Sequence, residues 1–129
     1  MKFLLLLLFA MMSCGNSYPK AENAFDAGRE FIEASLKGDF DKAQTYMLRN
    51  EVNDKQFKKL KDNYRNKSND DKVQYSRASI TILEETTVSN SVHIINYQNS
   101  FDKISRKVKV MQTQDGWLVD LSYTFDGNL

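Results

Sequence analysis

The chain has 129 residues, with 18 Lys+Arg against 17 Asp+Glu, one His and one Cys. Charges so nearly balanced exclude a nucleic-acid binder held by phosphate contacts, which needs an excess of Lys and Arg on one face. One cysteine excludes an internal disulfide, and there is no Cys/His cluster to hold zinc, so neither metal nor cofactor is expected. With 41% hydrophobic and 12% aromatic residues, the composition is that of a folding chain, and the length suits one domain with one core.

The N-terminus reads as an address. Met1-Lys2 precedes an unbroken apolar run, Phe3 to Met12, followed by Ser13-Cys14-Gly15-Asn16. A membrane span needs about 20 apolar residues, so this run is too short to cross a bilayer. A short basic start and a 7–15-residue apolar core are what a secretory signal requires. The lone Cys14 directly after the run, with the small Ser13 before it, resembles the lipobox of bacterial lipoproteins, with Met11 standing where Leu is usual. The Ser-Cys-Gly-Asn string looks like lipoproteins of the Bacteroidetes lineage. The resemblance implies that the Cys14 thiol carries a diacylglyceryl group and becomes the mature N-terminus. Residues 1–13 are then a lipoprotein signal peptide, 14–20 a lipidated tether and 21–129 the folded domain. The expected location is the bacterial cell envelope, with the membrane as a partner through the anchor. The Gly-Asn-Ser after Cys14 lacks the acidic run that resembles a surface-export signal in that lineage, which favours a periplasm-facing position.

Helical periodicity begins after Pro19. Ala21, Phe25, Gly28, Ile32 and Leu36 recur at helical spacing, with Ala24 and Phe31 widening the stripe. Gly38 suits a left-handed helix cap and Asp39 an N-cap for a second helix bearing Phe40, Ala43 and Met47. Asn50 or Asn53 starts a third helix with Phe57, Leu60 and Tyr64 inward. Its Lys55, Lys58, Lys59, Lys61 and Arg65 make a basic side, read as a solvated face or as a contact for anionic lipid or a partner. Asn66 to Lys72 is polar and reads as a loop closing the helical half.

The period then changes to two. Strands are expected near 78–82, 91–98, 104–112 and 117–125, with Glu84 to Asn90 as a turn and Asp115-Gly116 as a hairpin signal. Ile104, Arg106, Val108 and Val110 share one face of the third strand. Trp117, Val119, Leu121, Tyr123 and Phe125 share one face of the fourth, with Trp117 read as a plug for the core in preference to a surface for stacking a ligand. The fold class is therefore α+β: three N-terminal helices packed on a curved antiparallel four-stranded sheet.

Two strings carry a further resemblance. Phe31-Ile32-Glu33-Ala34-Ser35-Leu36-Lys37-Gly38-Asp39-Phe40-Asp41-Lys42-Ala43 is similar to the helix-turn-helix signature of the nuclear transport factor 2-like superfamily, and Asp115-Gly116-Trp117-Leu118-Val119-Asp120 to its closing strand. The resemblance implies a cone-shaped domain over roughly residues 22–125, closest to small envelope lipoproteins of unassigned function. Enzymes on that scaffold place acids, bases and tyrosines in the cup, but the tyrosine they carry on the first helix is replaced here by Phe25 and Phe31. The remaining pocket candidates are Tyr46, His93, Tyr97 and Asp120. His93, Ile95 and Tyr97 share one strand face, while Asp120 lies opposite the Trp117 face, solvated or paired with Lys107 or Lys109. No nucleophile set and no phosphate-binding glycine loop is present. The expectation is a non-catalytic binding module for a small hydrophobic ligand or an envelope protein. The alternatives are a cone enzyme of isomerase or dehydratase type with an atypical acid/base pair, and a dimeric interaction protein; the oligomeric state is not legible.

Overall fold

In the computed structural model, residues 18–123 are described. Four helices precede four strands: α1 (Ala24–Leu36), α2 (Phe40–Thr45), α3 (Glu51–Arg65), α4 (Asn69–Arg77), β1 (Ile80–Ser89), β2 (Val92–Asn99), β3 (Arg106–Thr113) and β4 (Gly116–Asp120). The strands form one open antiparallel sheet in the order β1-β2-β3-β4.

Each helix start carries a side-chain cap, which satisfies backbone N–H groups that have no partner inside the helix. Asn23, Asp39, Asn50 and Ser68 accept from the N–H groups of Asp26, Lys42, Asn53 and Asp71. The α1–α2 turn uses Gly38 at φ +72°, where any Cβ would also run into the Tyr64 ring. Tyr64 and Phe57 in turn stand edge-on to Phe40, at 5.3 and 5.8 Å, so α3 packs on α2 through three rings.

The apolar stripe of α1 is Ala24, Ala27, Gly28, Phe31, Ile32 and Ala34. Phe25, expected on this stripe, is 39% exposed, because the buried face is centred one position earlier, on Ala24 and Phe31. A Cβ on Gly28 would meet Ile95 Cδ1 at 2.9 Å and Val110 at 3.5 Å, so glycine lets α1 settle directly on β2 and β3. The core includes Phe31, Met47, Ile95, Tyr97, Val108, Val110, Val119 and Leu121. Burying such side chains is worth roughly 1.5–3 kcal/mol each, the main driving force for the fold.

Three expectations need correction. The polar stretch after Asn66 is not all loop: α4 grows from the Ser68 cap with Asp70 and Asp71 in its first turn. It buries no residue fully, so it lacks the apolar period that would announce it. Glu84 to Ser89 is not a turn but the second half of β1, an exposed edge strand with irregular register at Ile82/Glu84 and Thr87/Ser89. Such bulges and charges are how an open edge avoids pairing with other chains. Finally, Ile104 and Tyr123 lie outside the strands and are exposed, at 54% and 44%. Phe125, like Cys14, lies outside the described residues. The other sheet edge is covered: the Val119 N–H donates to the Tyr46 carbonyl and the Leu48 N–H to the Val119 carbonyl, both at 2.8 Å.

Candidate functional site

The four pocket candidates are held in different surroundings. Tyr46 ends α2, and its hydroxyl donates to the Pro19 carbonyl at 2.8 Å. Burial, followed by the negative charge of Glu30, pushes its phenol up from the ordinary value, which keeps it a proton donor. This bond fastens the segment from Tyr18 to Lys20 to the domain, so these residues, read as tether from the sequence, already pack on it.

His93 sits on the helix-facing side of β2 with Ile95 and Tyr97, as the alternation requires. Its Nδ1 lies 3.3 Å from Glu85 and 3.4 Å from the Thr87 hydroxyl, and its ring stands edge-on to Trp117 at 5.3 Å. Tyr97 is buried in the core, and burial raises its phenol far above the ordinary range. It lies near Arg106 and Asp102, whose charges it senses.

Asp120 is 6% exposed rather than solvated, and of the two expected lysines Lys109 pairs with it, alongside stronger hydrogen bonds from neutral groups. Its Oδ1 accepts from Asn53 Nδ2 at 3.1 Å, from the Ser122 N–H at 3.0 Å and from the Ser122 hydroxyl at 2.6 Å, with Lys109 Nζ 3.7 Å from Oδ2. Burial acts to raise its pKa, but the bonds from Ser122 and Asn53 outweigh it and hold the carboxyl below the usual range. Its role is a clamp: Asn53, buried completely, also accepts the Leu121 N–H at 2.6 Å. The four candidates are thus tied to four different sets of partners, and the structure does not assemble them into one acid/base site.

Two features escape a reading of the sequence. One is a polar cluster at the β2–β3 loop. Arg106 donates through both terminal nitrogens to Asp102, at 2.9 and 2.6 Å, and the Tyr75 hydroxyl donates to the same carboxylate at 3.1 Å. Burial works against the Asp102 charge, yet the bonds from Arg106 and its neighbours hold its pKa at about 2. Arg106 and Asp102 are four residues apart, a spacing that signals an ion pair only on a helix, and here Asp102 lies on the loop while Arg106 opens β3.

The other feature is a half-open groove of about 320 Å³ where the chain enters the domain, bordered by Tyr18, Lys20, Tyr46, Arg49, Asp115 and Trp117. It collects residues from the entry segment, the α2–α3 connection and the β3–β4 hairpin. Of these the sequence marks Tyr46 as a pocket candidate, Trp117 as a core plug and Asp115 as a hairpin residue, and nothing local links Tyr46 to the other two. The basic side of α3 is less distinctive: Lys55 pairs with Glu51, Lys58 and Arg65 with Asp62, and Lys61 lies over the Phe57 ring. Among the described residues no group of three or more His, Cys, Asp or Glu could hold a metal ion, and no helix is long and apolar enough to cross a membrane. No protein-family model, no curated protein and no solved structure matches the chain.

Proposed function

We propose that this protein is an envelope lipoprotein, anchored through Cys14, whose nuclear transport factor 2-like domain serves as a binding module and uses the groove beside Trp117. The observation that carries the reading is the position of the groove. Tyr18, four residues after Cys14, packs against the core, and the groove is bordered by Tyr18 and Lys20 themselves. Four residues span at most about 14 Å, so an anchor at Cys14 would hold this end of the domain close to a bilayer. A binding rather than catalytic role is supported by the separate surroundings of Tyr46, His93, Tyr97 and Asp120, since acid/base catalysis needs two such groups within about 3 Å of one site.

The test has two parts. The full chain, made in a bacterium, should partition into detergent and take up labelled fatty acid, and Cys14→Ala should abolish both. An unlabelled wild-type chain would refute the anchor. Native mass spectrometry of the detergent-solubilised protein should show a reproducible extra mass of a few hundred daltons that Trp117→Ala removes. A bound mass indifferent to Trp117 would refute the groove.

A further inference from the structure

The rim of the groove carries opposite charges that do not satisfy each other. Lys20 and Asp115 both border it, yet neither forms an ion pair with the other or with any other described residue. The stem of the exposed Lys20 passes over Gly116, its Cδ 4.0 Å from where a Cβ would stand, and Gly116 directly follows Asp115 in the chain. The third charge, Arg49, is already compensated: its Nε donates to Asp54 at 2.8 Å. What remains is a donor-only ammonium and an acceptor-only carboxylate on one rim, over a wall provided by Trp117 and Tyr18. The Tyr46 hydroxyl gives its proton to the Pro19 carbonyl, so toward a ligand it can act only as an acceptor.

An anionic ligand would meet Asp115, and a cationic one would meet Lys20. A neutral hydroxyl pair answers both, since each hydroxyl donates one hydrogen bond and accepts others. A sugar ring supplies such pairs around its edge and an apolar C–H face for the flat indole of Trp117. We propose that the groove binds a neutral saccharide, its ring face against Trp117 and two neighbouring hydroxyls bridging Lys20 and Asp115. The volume, about 320 Å³ and open on one side, lies at the small end of ligand sites and suits one or two sugar rings of a longer glycan. This inference rests on the reading of the groove as the binding site.

Trp117 is the only tryptophan in the chain, so the single indole N–H resonance of isotope-labelled protein reports on the groove alone. The full chain, in a detergent without sugar headgroups, is titrated to about 10 mM with maltose, cellobiose and diacetylchitobiose, and separately with benzenesulfonate. At least one disaccharide should move the indole signal saturably. Asp115→Asn and Lys20→Met should each weaken that affinity about tenfold, the effect of a hydrogen bond to a charged group. Because Asp115 lies in the hairpin turn, Lys20→Met, which leaves the turn intact, provides the independent check. A response to benzenesulfonate alone would overturn the saccharide and leave the groove as a binding site. Saccharide binding unaffected by either substitution would overturn the hydroxyl bridge. Silence from every probe would overturn both the saccharide and the groove.

Discussion

Asn53 is the residue whose replacement tests the packing argument most directly. Its side chain has no exposure, and its Oδ1 accepts the N–H of Leu121, itself buried, at 2.6 Å. Its Nδ2 donates to Asp120 and to Asn50, both at 3.1 Å, joining α3 to the end of β4 across 67 residues of chain. Asn53→Leu keeps the branching of the side chain, with bulkier methyl groups, and removes every side-chain hydrogen bond while leaving the backbone N–H bonded to Asn50. The Leu121 N–H then has no acceptor, at a cost of about 1–3 kcal/mol, and the lost bond to the Asp120 carboxylate adds about 1–2 kcal/mol. Asp120 keeps both Ser122 donors, which limits the second contribution. The expected loss is about 3–4 kcal/mol, a large part of the 5–15 kcal/mol typical of a domain. Urea unfolding followed by Trp117 emission measures it, with the slope against urea unchanged if only stability moved. Asn53→Asp sharpens the test: it retains an acceptor for Leu121 but sets two carboxylates against each other, so it should lose at least as much at neutral pH and regain part of the loss in acid. A leucine variant within about 1 kcal/mol of the parent would refute the clamp.

Three further outcomes follow from the same geometry. Gly38→Ala combines a positive φ with a clash against the Tyr64 ring, and should cost about 2–4 kcal/mol in the same unfolding assay. Tyr46→Phe removes the hydroxyl that donates to Pro19, and should cost about 1 kcal/mol, seen as a fall of roughly 4–8 °C in Tm, while protease cleavage before Lys20 becomes faster. Asp102 has its carboxyl pKa lowered to about 2 in the fold, so the stability it contributes is fully present above its unfolded value and is lost as pH falls through 2. Asp120 shifts in the same direction, so Asp102→Asn should flatten the decline of stability between about pH 4 and 2 without abolishing it, as measured by urea midpoints at successive pH values.

Much of the architecture was legible because it is dictated over a few residues. The caps at Asp39 and Asn50, the positive φ at Gly38, the hairpin at Asp115-Gly116 and the change of period from helical to alternating each express a local backbone demand, and the structure meets each of them. The reading of the signal-like run and Cys14 rests on the same local kind of pattern, in residues outside those described. The reading failed where burial does not reach. Helix α4 and the second half of β1 are mostly polar and bury no side chain fully, so neither imposes an apolar period, and caps, ladder hydrogen bonds and the contacts of Tyr75 define them.

Long-range meetings depend on tertiary structure. The groove unites Tyr18, Tyr46 and Trp117 because the Tyr46 backbone pairs with Val119 while its hydroxyl holds Pro19, two bonds between segments far apart in the chain. The clamp of Asn53 on Asp120 and the reach of Tyr75 to Asp102 arise in the same way. Composition, caps and periodicity determine which elements form, because their energies are settled within a turn or a strand. Which polar side chains end up sharing a rim, a clamp or a cluster is decided only when the core closes and desolvates them, since each must then find whatever partner the packed elements bring within hydrogen-bonding distance.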